Sequence, residues 1–378
     1  MKRLRLTRSA LEPIAAGHPW VYRDGVVGSA EPGELVALVD HQDREVAAGL
    51  FDTGAIAVRV LGKVDTLART VVDRVRRADG LRFAVVGGQT NCWRVVNGAG
   101  DGLPGVVVDR YDELAVLRLY SAAWEPHVEL LVDALGKLGW VGSIARRLGV
   151  ARVDGREGLE VLRGSVADEI VVEEHGVRLL VRPHSGQKTG LFLDQRENRR
   201  RLAELAPGRR VLNLFGYNGG FSVYCALAGA ARVHTVDISA PALLDAEAVF
   251  ALNGLDSGLH TFERADVFSW TPPHPFDLVI CDPPSLTHGK SSDRAAGRAY
   301  RDLNRRVGGW VTRDGLLMTA SCTARLDFAA WERAVREGLR GVGRFAVLSR
   351  HEAPADHPVA IEHAEGRYLK ALLLRRLQ

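Results

Sequence analysis

The sequence predicts an α/β protein: a small β-barrel, then an α+β middle region, then a mostly parallel sheet layered with helices. Three observations predict it. From about residue 176, apolar strand-like runs alternate with helical runs, the signature of βαβ units. Before residue 66, short strand-like segments are punctuated by Pro32-Gly33 and Asp52-Thr53-Gly54. Two apolar runs, Leu278-Val279-Ile280 and Leu316 to Ala320, end in chemically unusual tips, Asp282-Pro283-Pro284-Ser285 and Ser321-Cys322-Thr323. Ligands of open α/β sheets sit beyond such carboxyl ends.

Composition narrows the class. A chain of 378 residues has room for two or three domains. Its 46% hydrophobic and 25% charged residues are ordinary for a globular protein. A net charge of +4 is compatible with a nucleic-acid partner without requiring one. The four cysteines, Cys92, Cys225, Cys281 and Cys322, have no metal-ligand spacing and form no disulfide framework, so no metal is expected and a reducing compartment fits. Met1-Lys2-Arg3-Leu4-Arg5 lacks an apolar signal core, and no apolar run approaches the roughly 18 residues of a membrane span. The expected location is the cytoplasm, with no membrane partner.

The elements follow in order. Leu35 to Asp40 and Ala55 to Leu61 read as strands of the barrel, assigned to residues 1–68. Residues 67–86 read as a basic helix with Leu67, Val71 and Val75 on one face. The middle region, 69–175, adds strands at Val106 to Asp109 and Leu114 to Tyr120 and a helix from Val128 to Gly139. The last domain, 176–378, places strands at Val211–Leu214, Val233–Val236, up to Cys281, up to Ala320, Phe345–Ser349 and Leu369–Leu374. Its helices fall at Phe221–Leu227, Pro241–Asn253, Arg298–Trp310 and Phe328–Leu339.

Gly216, Gly219 and Gly220 lie between a strand and a helix, where the absent side chains let the backbone turn sharply and approach a ligand. The spacing is G-x-x-G-G rather than G-x-G-x-x-G, which weakens a dinucleotide reading. Asp237 ends the next strand, where a carboxylate can accept both hydroxyl hydrogens of a ribose. Asp266 follows the strand after that and can reach an adenine amino group, with Val267 beside the ring. A nucleoside without phosphates fits, and S-adenosylmethionine is the candidate cofactor. Asn213, Phe215, Tyr217 and Ile238, around the same two strand ends, complete the candidate set. Each feature also has a plain structural reading. A glycine can merely close a turn, and Asp237 can merely cap the helix that follows.

Asp282-Pro283-Pro284 makes a stiff corner whose carbonyls face outward, suited to a flat nucleobase edge. Amino-group methyltransferases usually follow the prolines with an aromatic residue; here Ser285 follows. Cys322 points to different chemistry. A thiolate adding to carbon 6 of cytosine makes carbon 5 nucleophilic enough to take a methyl group, after which a base removes the carbon 5 proton and the thiol leaves. An ordinary thiol is only a few per cent ionised at neutral pH, so the site must activate Cys322 by positive charge or by protonating the ring nitrogen, a role open to Asp282. The plain alternative is a small core residue. That alternative is adopted for Cys225 and Cys281, while Cys92 shows no pattern. Arg196, Arg199, Arg200 and Arg201 can contact phosphates, and Arg200 and Arg201 can instead form a solvated helix face. Lys188, Lys290 and Arg294 lie in loops that can flank a substrate entrance.

Together these segments resemble the class I S-adenosylmethionine-dependent methyltransferases that act on cytosine carbon 5 of large-subunit (23S) ribosomal RNA, of the methyltransferase I type. The most specific segment is Gly186 to Arg196, GQKTGLFLDQR; Arg94 to Tyr111, His18-Pro19-Trp20-Val21-Tyr22, Tyr300 to Asn304 and Tyr368-Leu369-Lys370 also fit. The resemblance implies a PUA-like RNA-binding barrel and a seven-stranded Rossmann-like methyltransferase sheet with its last strand antiparallel. It implies Cys322 as the single catalytic cysteine and cofactor contacts from Asp194 or Gln195, the Phe215–Gly220 turn, Asp237, Asp266 and Asp282. The expected substrate contacts are Pro283, Pro284, Lys188 and Arg196; the partner is 23S rRNA or the large subunit, and a homodimer is allowed. The rivals are guanine amino methylation by the same fold, which needs no cysteine, and a non-catalytic RNA-binding assembly factor.

Overall fold

Alternating burial builds the amino-terminal sheet: in Lys2–Leu6 only Leu4 and Leu6 turn inward. The structure is a computed structural model that describes every residue except 151–152, 187–188, 256–257 and 287–292. The chain divides into two compact units. The first comprises Met1–Glu173, Val181–Leu193 and Ala355–Gly366, and the second the remainder.

The first unit holds two sheets. Six strands between Lys2 and Gly62 form the first, around a core that includes Leu4, Val36, Leu38 and Val58. A helix at Arg8–Ala16 also lies in this region, where only strands and turns were expected. Its Pro13 argues against a helix on sequence alone. The helix nevertheless runs past that proline and ends at Gly17, whose φ of 110° reverses the chain. The second sheet has five strands, in order Leu159–Arg163, Ser143–Arg147, Leu114–Leu119, Val106–Tyr111, Cys92–Asn97. The helix Leu67–Val86 packs Val71, Val75 and Ala78 into its core, and the Thr66 hydroxyl caps the first turn by accepting from the Arg69 amide. The helix expected to reach Gly139 stops at Leu135, because the chain tightens into turns at Gly136.

The second unit is built on seven strands: β1 (Arg210–Leu214), β2 (Arg232–Asp237), β3 (Thr261–Arg264), β4 (Phe276–Cys281), β5 (Val311–Ser321), β6 (Phe345–His351) and β7 (Lys370–Arg376). Its helices are α1 (Arg196–Glu204), α2 (Gly220–Leu227), α3 (Ala240–Leu252), α4 (Asp293–Gly308) and α5 (Phe328–Leu339). The sheet order is β3-β2-β1-β4-β5-β7-β6. β1 to β5 pair in parallel, and β7 enters antiparallel to both β5 and β6, as expected for the last strand. In β4, Leu278 to Cys281 are all 0% exposed, the continuous apolar pattern of a parallel strand covered on both faces. This sheet aligns the carboxyl ends of β1, β2, β4 and β5 on one edge, which is where the polar tips lie. Among the described residues no helix is long and apolar enough to cross a membrane.

Candidate active site

The turn after β1 is held from below. Asn213 is buried, and its amide donates to Ser222 Oγ at 2.8 Å; Ser222 in turn contacts Thr235 at 2.7 Å. This network ties β1, α2 and β2 together beneath the turn. Asn213 was expected to touch the cofactor, but its side chain supports the turn instead. Above it, Phe215 and Tyr217 adopt left-handed backbone, with φ of 56° and 47°. Non-glycine residues rarely do so, and such strain, about 1–3 kcal/mol each, concentrates at ligand sites. Gly216 is required by space: a Cβ there would lie 2.4 Å from Thr235 Cγ2. Gly219, at φ 76°, caps α2, and a Cβ would lie 2.9 Å from that of Ala246.

Asp237 closes the turn from β2. One carboxylate oxygen accepts from the Tyr217 amide and the other from the Ser239 amide, each at 2.8 Å. A carboxylate has about four lone-pair directions, so both oxygens keep capacity for a ribose diol. Beside it Ile238 is 64% exposed, and beyond the next strand end Phe268 is 49% exposed, 5.7 Å from the Phe215 ring. Exposed apolar side chains at these tips suit a purine ring. Asp266 accepts from the Phe268 amide at 3.0 Å. Val267 was expected to lie beside the ring, but its side chain is sealed in the core. Phe268, which the sequence reading passed over, has the exposed face that Val267 lacks.

Asp194 and Gln195 are also buried, so they act through neighbours rather than as an open lining. The Gln195 amide donates to Asp282 Oδ2 at 2.9 Å and fixes the rotation of that carboxyl; Asn198 orients Gln195 at 2.6 Å. Asp194 accepts from the Tyr368 hydroxyl at 2.7 Å. Asp282 itself is part-exposed at the end of β4, followed by buried Pro283 and exposed Pro284.

Cys322 follows directly on β5. Cys281 stands opposite Thr319 in the parallel register, so Asp282 leaves β4 beside the end of β5 that delivers Cys322. Cys92, Cys225 and Cys281 are buried, whereas Cys322 is part-exposed. Burial pushes the Cys225 thiol up to about 12 and Cys281 higher still, which leaves both protonated and inert. Around Cys322, Ser321 donates to the buried Tyr300 hydroxyl at 2.9 Å, and Lys370 donates to the Thr323 carbonyl at 2.7 Å. Burial pushes Tyr300 up to about 12, so it stays a neutral phenol at working pH.

The basic run reads differently in three dimensions. Arg196, expected to reach substrate phosphates, is 1% exposed, with Nε 3.2 Å from Glu197. Arg199 grips buried Glu174 through two hydrogen bonds of 2.7 Å and lies under Gly220. Their long side chains are turned inward, so both are internal scaffolding and no phosphate can reach them. Arg200 is exposed, which agrees with a solvated face. Lys188 and Lys290 lie outside the described residues.

Comparison with known proteins supplies the family to which this geometry belongs. Residues 87–375 match the S-adenosylmethionine-dependent methyltransferase family, and residues 4–63 match a PUA-like domain. The chain belongs to the S-adenosylmethionine-dependent methyltransferases. It is 41% identical to a Deinococcus radiodurans protein named Ribosomal RNA large subunit methyltransferase, over 99% of this chain and 97% of that one. It is 35% identical to Ribosomal RNA large subunit methyltransferase I of Tolumonas auensis, over 95% and 96%. A SAM-dependent methyltransferase structure from Streptococcus mutans shares the fold with a TM-score of 0.88 at 22% identity, covering 99% of this chain and all of that one. The cofactor of this methyltransferase is S-adenosylmethionine. The residues fit it: the turn leaves no room for a side chain at Gly216 or Gly219, and Asp237 is pinned at the end of β2 with lone pairs to spare for a diol.

Proposed function

We propose that the enzyme methylates carbon 5 of a cytosine in large-subunit (23S) ribosomal RNA through a covalent adduct with Cys322. The observation that carries this reading is the placement of a part-exposed cysteine at the tip of β5, beside the Asp282-Pro283-Pro284 corner, while the other three cysteines are buried. An amino-group methylation would need no thiol there. The names of the relatives support large-subunit RNA as the substrate class.

Bound S-adenosylmethionine supplies an electrophilic methyl group. The chain's residues do the rest. The outward carbonyls of the proline corner hold the base edge. Asp282, its rotation fixed by Gln195, faces the ring nitrogen and supplies it with a proton, directly or through water. The Cys322 thiolate forms a bond to carbon 6, and the electron pair of the 5,6 double bond becomes available at carbon 5. Carbon 5 takes the methyl group from the sulfonium, which is left as a neutral thioether; a base accepts the carbon 5 proton, the carbon–sulfur bond breaks to restore the 5,6 double bond and the thiolate, and the ring nitrogen returns its proton to Asp282. The target base must leave its stack to reach this site. On this reading the barrel (1–68) and the middle domain (69–175) grip RNA shape and phosphates, the catalytic domain (176–378) does the chemistry, and the enzyme works in the cytoplasm.

Large-subunit RNA transcribed with 5-fluorocytidine tests the adduct, because fluorine cannot leave as a proton. With S-adenosylmethionine, wild-type protein should form a denaturant-stable RNA complex whose linkage maps to Cys322. Cys322→Ala should form none. A trapped complex on another residue, or none with wild type on RNA that it methylates, would remove the thiol mechanism.

A further inference from the structure

Lys370 is the first residue of β7 and stands opposite Ser321, the last residue of β5. Its side chain is almost completely buried. Nζ donates to three carbonyls, those of Thr323 at 2.7 Å, Tyr368 at 2.9 Å and Arg367 at 3.5 Å. Three acceptors match the three N–H bonds of an ammonium; a neutral amine has two. Yet among the described residues Lys370 makes no ion pair with a carboxylate. Burying an ammonium without a counter-ion costs several kcal/mol, and carbonyl dipoles offset only part of that. Burial accordingly pulls Lys370 below the ordinary lysine range. The strongest opposing influence on it is the charge of Cys322, ahead of Glu352 and Asp327.

We propose that Lys370 is a positioning residue that keeps Cys322 as a reactive thiolate and holds the β5 tip in place. The ammonium acts on the cysteine in two ways. Its field stabilises negative charge on the sulfur. Its hydrogen bond to the carbonyl of Thr323, the next residue, fixes the backbone that aims the thiol. Of the other titratable groups at this edge, Asp282 at the β4 tip, Asp327 and Glu352 are acidic and Tyr300 of α4 remains a neutral phenol. Arg325, whose amide donates to Thr323 Oγ1 at 3.2 Å, is a second cation on this tip. This accounts for a β7 lysine sunk into a protein core, where lysine is rarely found.

The inference rests on the cysteine mechanism above, but its test uses neither RNA nor methyl transfer, so the two fail separately. Alkylation of Cys322 by iodoacetamide is followed by peptide mass spectrometry across pH, in full-length wild type and in K370Q and K370R. Rate follows the thiolate fraction. Wild type should react with a midpoint below the ordinary thiol value of about 8.5. K370Q should move that midpoint up and slow alkylation at neutral pH by about tenfold or more, one decade for each pKa unit. K370R, which keeps the charge, should stay closer to wild type. Superimposed profiles for wild type and K370Q would overturn the proposal. Should K370Q fail to fold, the thiolate absorbance of wild type minus C322A still decides, since a midpoint at or above about 8.5 overturns it.

Discussion

Replacing Gly219 by alanine attacks the cofactor turn at a position where two costs can be separated. At φ 76° the residue sits in left-handed backbone, which costs an L-residue about 1–2 kcal/mol. The new methyl would also lie 2.9 Å from Ala246 Cβ and 3.3 Å from its Cα, a contact with helix α3 that no rotamer relieves. Overpacking of this kind adds about 1–3 kcal/mol. The total is roughly 2–5 kcal/mol, or roughly 4–20 °C at about 2–4 °C per kcal/mol for a domain of this size. Gly208→Ala is the control. Its φ is 71°, but nothing lies within 4 Å of its Cβ position, so only the backbone cost applies. The assay is the unfolding transition that S-adenosylmethionine raises, with calorimetry for cofactor affinity. Gly219→Ala should melt several degrees below Gly208→Ala and bind the cofactor at least about tenfold more weakly, because moving the α2 cap displaces the turn. Equal melting and equal affinity in the two variants would refute the steric account of this turn.

Other perturbations follow from the same geometry. Glu174→Gln leaves the buried Arg199 guanidinium without its counter-charge and should cost about 3–5 kcal/mol in urea unfolding. Asp237→Ala removes the acceptor of the Tyr217 and Ser239 amides along with the ribose contacts. Charged hydrogen bonds are worth about 1.5–3 kcal/mol each, so loss of the two proposed ribose bonds should lower cofactor affinity roughly a hundred- to ten-thousandfold by calorimetry. Glu197, hydrogen-bonded by His175, is held at about 2 against an ordinary 4.5. A depressed carboxylate stabilises the fold above its unfolded value, so this contribution is present above about pH 4.5 and disappears as pH falls toward 2. Glu197→Gln should lower stability at neutrality, flatten that part of the acid-unfolding profile and match wild type only near pH 2.

Much of the scaffold was legible because its signals are local. Val71 and Val75 mark the buried face of the helix Leu67–Val86, and the unbroken apolar runs of β4 and β5 mark strands covered on both sides. The tips they deliver, Asp282-Pro283-Pro284 and Cys322, needed only the rule that ligands sit at the carboxyl edge. What escaped depends on partners distant in the chain. Glu174 neutralises Arg199 across 25 residues, so a basic run that reads as surface is partly interior. Lys370 comes to lie opposite Ser321, next to Cys322, only through the antiparallel register of β5 and β7. The left-handed backbone at Phe215 and Tyr217 has no compositional signal, because neither residue type favours it. The helix Arg8–Ala16 carries Pro13 inside it and is sustained by the packing of Ile14, a tertiary contact with no local signal.

The most direct measurement is mass spectrometry of nucleosides from unmodified large-subunit RNA, free or in assembled subunits, incubated with S-adenosylmethionine and wild-type or Cys322→Ala protein. The account predicts new 5-methylcytidine with wild type and none with the variant. Methylguanosine made equally by both proteins would contradict it.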